Sequence, residues 1–371
     1  TAVPLDKSNQ NKLEYIRDKC RAKAIFMQKK YFNLLNKLPK FEQVFTDFDN
    51  ENCINIFKLN EKYSFVDVDE KSTAGVIIFT SGSTGIPKGV MLSHYNLYYN
   101  TNSIIQYLSL DEKDIMMAIL PFTYCYGASW LHTLLRVKGQ FVLNNEFMFP
   151  GKVLNEINEK RCTGFAGVPS TFQILLRNTN FKNMKFNSLR FIAQAGGKLP
   201  TPCIEELIES FPNTEIYIMY GQTEATARLS YVPPRVLPEK IDSIGKGIPG
   251  TMLDIVNSRG ESAKIGEIGE VVATGGNVMM GYFDDTKATA EVIKNGKLYT
   301  GDLGKKDEDG FIYLVGRKKE MIKSAGYRIS PKEVEEIIME LPQVIEVGVI
   351  GVEDGILGEA IKAFVVANKP D

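Results

Sequence analysis

The sequence predicts an α/β protein: a large domain of parallel, helix-covered sheets with a small β subdomain, followed by a smaller α+β domain. Strand-like and helix-like segments alternate between residues 74 and 221, as parallel sheets require. Past residue 230 that alternation gives way to short strands separated by glycine turns. A helix start at Ser330-Pro331, with Glu333 completing a capping box and two strand patterns behind it, opens a further unit. The expected large domain is therefore 1–318, with its β subdomain at about 230–318. The smaller domain begins in 319–371, joined at Lys319.

Taken in order, 12–26 and 27–38 carry helical patterns, and the apolar run Ala74–Thr80 reads as a buried strand. Helices are expected at 94–108, 152–160, 169–178 and 201–211, and strands at 115–120, 140–144, 163–168, 189–196 and 215–221. The later strands fall at 252–261, 269–276 and 297–302, with the hairpin signal Asp307-Glu308-Asp309-Gly310 before 311–316. After the helix at Pro331, strands are expected at 344–352 and 360–367.

Composition narrows the function classes. With 371 residues, more than one core is expected, and 44% hydrophobic with 24% charged residues is ordinary for a globular protein. Lys plus Arg (44) nearly cancels Asp plus Glu (45), so no general basic field holds nucleic acid or an anionic membrane. Five scattered cysteines, without a C-x-x-C pair, fit a reduced cytoplasmic protein lacking a zinc site. No apolar run approaches the ~20 residues of a membrane helix, so no transmembrane segment is expected. Thr1 and Asp371 both read as cut ends of a longer protein, and no cleavable signal is expected at the start.

The strongest chemical signal is Phe79-Thr80-Ser81-Gly82-Ser83-Thr84-Gly85-Ile86-Pro87-Lys88-Gly89-Val90. Hydroxyls and glycines this dense, directly after a buried strand, let backbone amides wrap phosphate oxygens while Lys88 adds positive charge. An ordinary strand-to-helix turn is the alternative, but it needs one glycine and one capping serine. A G-x-x-x-x-G-K-[ST] loop is excluded, because Gly89-Val90 stands where its hydroxyl residue belongs. The literal G-x-G-x-x-G at Gly245–Gly250 is read as a turn, since Pro249-Gly250 leads into a strand and not a helix.

These residues carry a family resemblance. TSGSTGIPKGV at 80–90 resembles the phosphate loop of the AMP-forming acyl-CoA synthetase, luciferase and peptide-synthetase adenylation superfamily. PFTYCYG (121–127), GVPSTF (167–172), QAGGKLP (194–200), YGQTEATAR (220–228), GYF (281–283), YTGDLG (299–304) and GRKKEMIKSAGYRIS (316–330) match it in order.

The resemblance implies that Thr80, Ser81, Gly82, Ser83, Thr84, Gly85 and Lys88 cradle the phosphates of ATP. It extends the nucleotide contacts to Gly196, Gly197, Lys198, Tyr220, Gly221, Gln222, Thr223, Asp302 and Arg317. Tyr220 would lie by the adenine, Thr223 would contact the α-phosphate, Asp302 the ribose hydroxyls, and Glu224 would hold Mg²⁺. Thr223, Glu224 and Lys88 are thus the implied catalytic set. Tyr124, Tyr126, Val168 and Ala195 would line the acyl pocket, Lys319 would be the hinge, and Ser324-Ala325-Gly326 would form the thiol-side loop. Read singly, Glu224 is better taken as a solvated charge, while Asp302 is equally a turn aspartate and each pocket residue equally packed core; His94 and His132 are structural.

The function implied by the resemblance is ATP-dependent activation of a small-molecule carboxylic acid, fatty or aryl, to acyl-AMP with release of pyrophosphate. Transfer to the thiol of coenzyme A, or of an acyl carrier protein's phosphopantetheine, would complete it. Two other readings remain: an amino-acid adenylating module, disfavoured because 121–127 has no acid to pair an α-amine, and an inactive nucleotide-binding scaffold. The family's catalytic lysine is expected beyond Asp371, since Lys362 and Lys369 lack its proline- and glycine-containing context.

Overall fold

The computed structural model describes residues 1–5, 12–33, 39–51, 53–59, 67–80, 87–144, 147–325, 327–339, 341, 343–355 and 357–367. They fall into two compact units, Val3–Asp69 and Thr1–Ala2 with Glu70–Asp371.

In Val3–Asp69, helices α1 (Leu13–Cys20) and α2 (Lys29–Phe32) accompany three parallel strands, β1 (Ala24–Met27), β2 (Gln43–Thr46) and β3 (Ile54–Asn55). The helix expected over 12–26 stops at Cys20, because Arg21 turns left-handed at φ 50° and Ala24–Met27 pairs with β2 instead. Phe26 faces Phe45 across that pair with ring centroids 4.5 Å apart, a cross-strand contact that overrides the local helical pattern. Of the helix expected over 27–38, Lys29–Phe32 forms α2, and residues 34–38 lie outside the described residues.

The second unit opens with β4 (Ala74–Thr80) antiparallel to β5 (Lys88–Ser93). The segment 81–86 thus connects two strands, and β5 is an element the sequence pattern missed. Only Val90-Met91-Leu92 is continuously apolar there, and Gly89 replaces a side chain where a Cβ would meet Ile77 at 2.9 Å. Ser93 then caps α3 (His94–Leu108): its Oγ accepts from the Asn96 amide at 3.0 Å, and Asn96 Oδ1 accepts from the Ser93 amide at 2.9 Å.

Next come β6 (Ile115–Ala118), α4 (Cys125–Val137), β7 (Gln140–Leu143), α5 (Pro150–Glu159), β8 (Gly164–Gly167), α6 (Pro169–Asn178), β9 (Phe191–Gln194), α7 (Thr201–Ser210) and β10 (Glu215–Tyr220). The strands are parallel in the order β7-β6-β8-β9-β10, as the alternation predicts. Successive strand residues serve opposite faces. Met117, Phe165, Ile192, Ile216 and Ile218 pack under α5, α6 and α7, while Met116, Ala166, Phe191, Tyr217 and Met219 pack under α3 and α4. Each fully buried Leu or Phe there contributes about 1.5–3 kcal/mol.

The chain continues through β11 (Ser230–Val232), β12 (Ser243–Gly247), β13 (Met252–Val256), β14 (Gly269–Thr274), β15 (Gly281–Tyr282), α8 (Thr286–Val292), β16 (Ile293–Lys294), β17 (Lys297–Lys306) and β18 (Ile312–Arg317). The antiparallel run β13-β14-β17-β18-β12-β11 joins β10 edge to edge, so the parallel and antiparallel parts share one hydrogen-bonded path. Strand β15 instead pairs with β5. Finally β19 (Ile322–Ser324), β20 (Tyr327–Ile329), α9 (Pro331–Met339), β21 (Val344–Asp354) and β22 (Gly358–Ala367) form a four-stranded sheet with one helix. Ser330 Oγ accepts from the Glu333 amide at 3.4 Å and donates to the Val315 carbonyl at 2.6 Å, tying the start of α9 to β18. Among the described residues no helix is long and apolar enough to cross a membrane.

Candidate active site

Strands β6, β8, β9 and β10 run parallel toward the segments 121–127, 167–172, 194–200 and 220–228, so the four motifs gather at one edge of the sheet. The carboxyl edge of such a sheet is where ligands bind, because the loops there diverge around a crevice. Gly196, at φ 89°, brings the end of β9 against the start of α6: a Cβ on it would lie 3.2 Å from Val168 Cγ1, and one on Gly197 3.2 Å from Pro169.

After β10 the chain makes a single 3-10 turn, Thr223–Ala225, and reverses through two consecutive left-handed residues, Thr226 (φ 56°) and Ala227 (φ 90°). Each such non-glycine residue costs roughly 1–3 kcal/mol, so the reversal is held from outside. Thr226 Oγ1 donates to the Asn277 carbonyl at 2.7 Å, and the Arg228 carbonyl accepts from Asn100 Nδ2 at 3.0 Å and Asn277 Nδ2 at 2.8 Å. Gly221 admits the fold-back, since a Cβ there would stand 1.8 Å from the Ala227 carbonyl oxygen.

This turn presents Glu224. Its Oε1 accepts from the Tyr282 hydroxyl at 2.8 Å, and its backbone carbonyl accepts from the Met279 amide at 2.9 Å. Burial and the neighbouring carboxylate push the Tyr282 phenol far up, so it stays a donor. Lys88 Nζ lies 4.8 Å from the centre of the Tyr282 ring. Oε2 of Glu224 has no protein partner among the described residues, which also contain no cluster of three His, Cys, Asp or Glu able to cage a metal. One free carboxylate oxygen fits Mg²⁺, a cation that takes few protein ligands and completes its shell with phosphate oxygens and water. Thr223 Oγ1 sits 3.4 Å from Cys125 Sγ, whose thiol burial pushes up and keeps neutral.

A second cluster forms where β17 and β18 pair. Asp302 lies opposite Arg317, and its Oδ1 meets Arg317 Nε at 2.9 Å while Oδ2 accepts from the Tyr220 hydroxyl at 2.5 Å. The Asp302 side chain is 6% exposed and that of Arg317 55% exposed, so a buried anion sits beside an accessible cation. Burial, then Asp302, holds the Tyr220 phenol well above its ordinary value. Gln222 Nε2 is buried without a hydrogen-bond partner among the described residues.

Tyr126 and Ala195 belong to the core packed under α3 and α4, with Val168 against it. The Tyr126 hydroxyl donates to the Ala193 carbonyl at 3.0 Å. Tyr124, half exposed at the start of α4, stands outside that core. Lys198 is drawn to Asp242 at 3.5 Å. Thr80 Oγ1 reaches the Lys88 carbonyl at 3.5 Å, but Ser81, Gly82, Ser83, Thr84 and Gly85 lie outside the described residues. Lys319 is exposed in the turn after β18. Ser324 ends β19 and Ala325 comes next at φ 50°, while Gly326 and Lys369 lie outside the described residues.

Sequence reasoning assigned nothing to Tyr282 or Arg228. Tyr282 sits in the Gly281-Tyr282-Phe283 motif, but its link to a carboxylate 58 positions away depends on β15 pairing with β5. Arg228 carried one legible signal, a lone cation between Ala227 and Leu229 in a glycine- and threonine-rich motif.

Two family models match this chain: AMP-binding enzyme over residues 1–283, and AMP-binding enzyme C-terminal domain over residues 333–371. The chain is 31% identical over 350 residues to a long-chain-fatty-acid–CoA ligase of Bacillus subtilis (strain 168), covering 91% of this chain and 61% of that protein. It superimposes on o-succinylbenzoate CoA synthetase of Bacillus subtilis bound to its acyl-adenylate intermediate with a TM-score of 0.84 and 28% identity, over 100% of this chain and 74% of that one. The same synthetase with ATP and magnesium ion gives a TM-score of 0.83 at 28% identity, over 100% and 75%. The chain spans about half to three-fifths of the length of the curated relatives it matches.

Proposed function

This chain belongs to the AMP-binding enzyme family, and from that premise we propose that it activates a carboxylic acid with ATP as an acyl-AMP and passes the acyl group to a thiol. The observation that carries the reading is three contacts made by the one segment Tyr220–Glu224: Cys125 against Thr223, Tyr282 on Glu224, and Tyr220 with Arg317 on Asp302. They supply a hydroxyl, a part-exposed carboxylate and a cation at one sheet edge, the set that a nucleotide with a metal ion needs.

In the first step a substrate carboxylate oxygen attacks the α-phosphorus, the bond to the β-phosphate oxygen breaks, and pyrophosphate leaves. Both reactants are anions, so positioning and charge neutralisation carry the rate. Mg²⁺ at Glu224 would supply neutralisation of phosphate charge. Thr223 donates from the start of the turn after β10, and Lys88 adds a cation beside the segment 81–86. Asp302 is assigned to the ribose hydroxyls, with Tyr220 and Arg317 fixing its orientation, and Gln222 is assigned to the base. In the second step a thiolate attacks the acyl carbon and AMP leaves. No protein nucleophile takes part.

Coenzyme A is the preferred thiol, supported by the names of the relatives, with Ser324, Ala325 and Gly326 on its path and Lys319 the hinge. A carrier-protein phosphopantetheine is the other acceptor. Tyr124, Tyr126, Val168 and Ala195 are proposed for the acyl pocket, and Gly196, Gly197, Lys198 and Gly221 for the nucleotide side. Free thiols at all five cysteines support a cytoplasmic setting. The test is exchange of labelled pyrophosphate into ATP by the full-length protein against a panel of carboxylic acids. Acid-dependent exchange is expected; exchange with no acid in the panel overturns the proposal.

A further inference from the structure

Arg228 is completely buried, yet Nε, Nη1 and Nη2 all lack a well-formed hydrogen bond among the described residues. Its guanidinium lies 4.2 Å from the centre of the Tyr126 ring and 5.5 Å from that of Trp130. The indole Nε1 of Trp130 is likewise buried and unpaired, and Asn100, whose amide holds the Arg228 carbonyl, keeps an unpaired acceptor in Oδ1. No ion pair among the described residues compensates the charge. Of the nearby hydroxyls, Tyr107 donates to Met219 Sδ at 3.1 Å and faces the guanidinium only as a neutral oxygen, and Tyr126 donates to the Ala193 carbonyl, so neither is a negative partner. Burial keeps both phenols and the Cys125 thiol protonated, so none supplies an anion.

A buried, unpaired cation is costly to a fold and is retained where something else pairs it. Here the placement is enforced: two left-handed residues, the glycine at 221 and two asparagine amides on the Arg228 carbonyl drive the side chain inward. It stacks on Tyr126, a residue assigned to the acyl pocket, and lies four positions along the chain from Glu224 at the nucleotide.

We propose that Arg228 reads a second carboxylate on the acyl part of the substrate, so that the acid activated is a dicarboxylic acid. This rests on the adenylation reading and narrows its substrate class. A guanidinium takes a carboxylate through two parallel hydrogen bonds, and the indole N–H adds a third donor. The aromatic walls of Tyr107, Tyr126 and Trp130 exclude water and strengthen that pairing.

The experiment compares matched acids, octanedioate with octanoate and terephthalate with benzoate, in pyrophosphate exchange by the full-length protein and its Arg228→Met variant. The wild type should favour the diacid in at least one pair. Arg228→Met should raise the diacid KM roughly 100-fold, leave the KM values for the monoacid and ATP within about threefold, and melt no lower than wild type, since it removes an unpaired buried charge. Equal effects on both acids, a raised KM for ATP, or a wild-type preference for monoacids unaltered by the substitution would overturn the proposal. Should Arg228→Met not fold, Arg228→Lys decides: it keeps the charge but not the paired donors, so a diacid KM unchanged relative to the monoacid overturns it. Exchange with no acid of either kind removes the adenylation reading itself, and this inference with it.

Discussion

Glu224 and Asp302 are both carboxylates with a tyrosine hydroxyl on one oxygen, and their surroundings give them different work. Asp302 is buried and ion-paired to Arg317 at 2.9 Å, which suits the proposed role of a rigid acceptor for ribose hydroxyls. Glu224 keeps one oxygen without a partner among the described residues, which suits a metal. Glu224→Ala should abolish magnesium-dependent turnover with the thermal unfolding curve unchanged; ordinary turnover at ordinary magnesium would displace the metal site. Asp302→Ala should weaken AMP binding by about 1.5–3 kcal/mol for each lost charged hydrogen bond. Calorimetry checks it, and a dissociation constant within about twofold of wild type, under 0.5 kcal/mol, contradicts the ribose role. Glu224, Asp302 and Tyr220 could be proposed from the sequence because each stands in a motif whose spacing survives in the linear chain. Their partner Tyr282 and the isolation of Arg228 were not, because both depend on which strands meet.

Element by element, legibility tracked how local each pattern was. The parallel strands and the helices α3, α5, α6 and α7 stood out because a fully buried strand reads as a short apolar run between periodic helices, independent of its partner, whereas α4 (Cys125–Val137) was missed. Strand β5 was missed because its first two residues, Lys88 and Gly89, are weak strand formers and pairing with β4 supplies what propensity lacks. The overlong first helix failed for the same reason, through pairing of β1 with β2. The turn after β10 is the element on which the site depends, and Gly221 permits it. Gly221→Ala should destabilise the protein by roughly 1–3 kcal/mol, because the clash is with backbone that cannot rotate away; denaturant melting checks it, and an unchanged midpoint would show that the reversal is looser than described. On α4, burial lowers His132 below its ordinary 6.5, so the folded protein prefers it neutral and the unfolded chain takes the proton more readily. Its contribution is fully present above that value and is lost as pH falls below it. His132→Gln should therefore flatten the loss of stability below about pH 6.5, and an unaltered acid limb would contradict the burial effect.

At the scale of the molecule, a parallel sheet supplies the edge where the motifs converge, and an antiparallel extension carries Asp302 back to β10 along the same hydrogen-bonded path. Residues 82 positions apart, Tyr220 and Asp302, are thus held together by one sheet at the proposed nucleotide site. Cleavage of ATP at the α-phosphorus on this edge, as proposed, leaves a distinctive product distribution. The full-length protein, ATP, magnesium and the acid that supports exchange should be mixed without thiol, quenched, and resolved by mass spectrometry. Acyl-AMP together with pyrophosphate, converted to AMP and a thioester when coenzyme A is added, is the expected result; ADP and inorganic phosphate with no acyl-AMP would contradict the account.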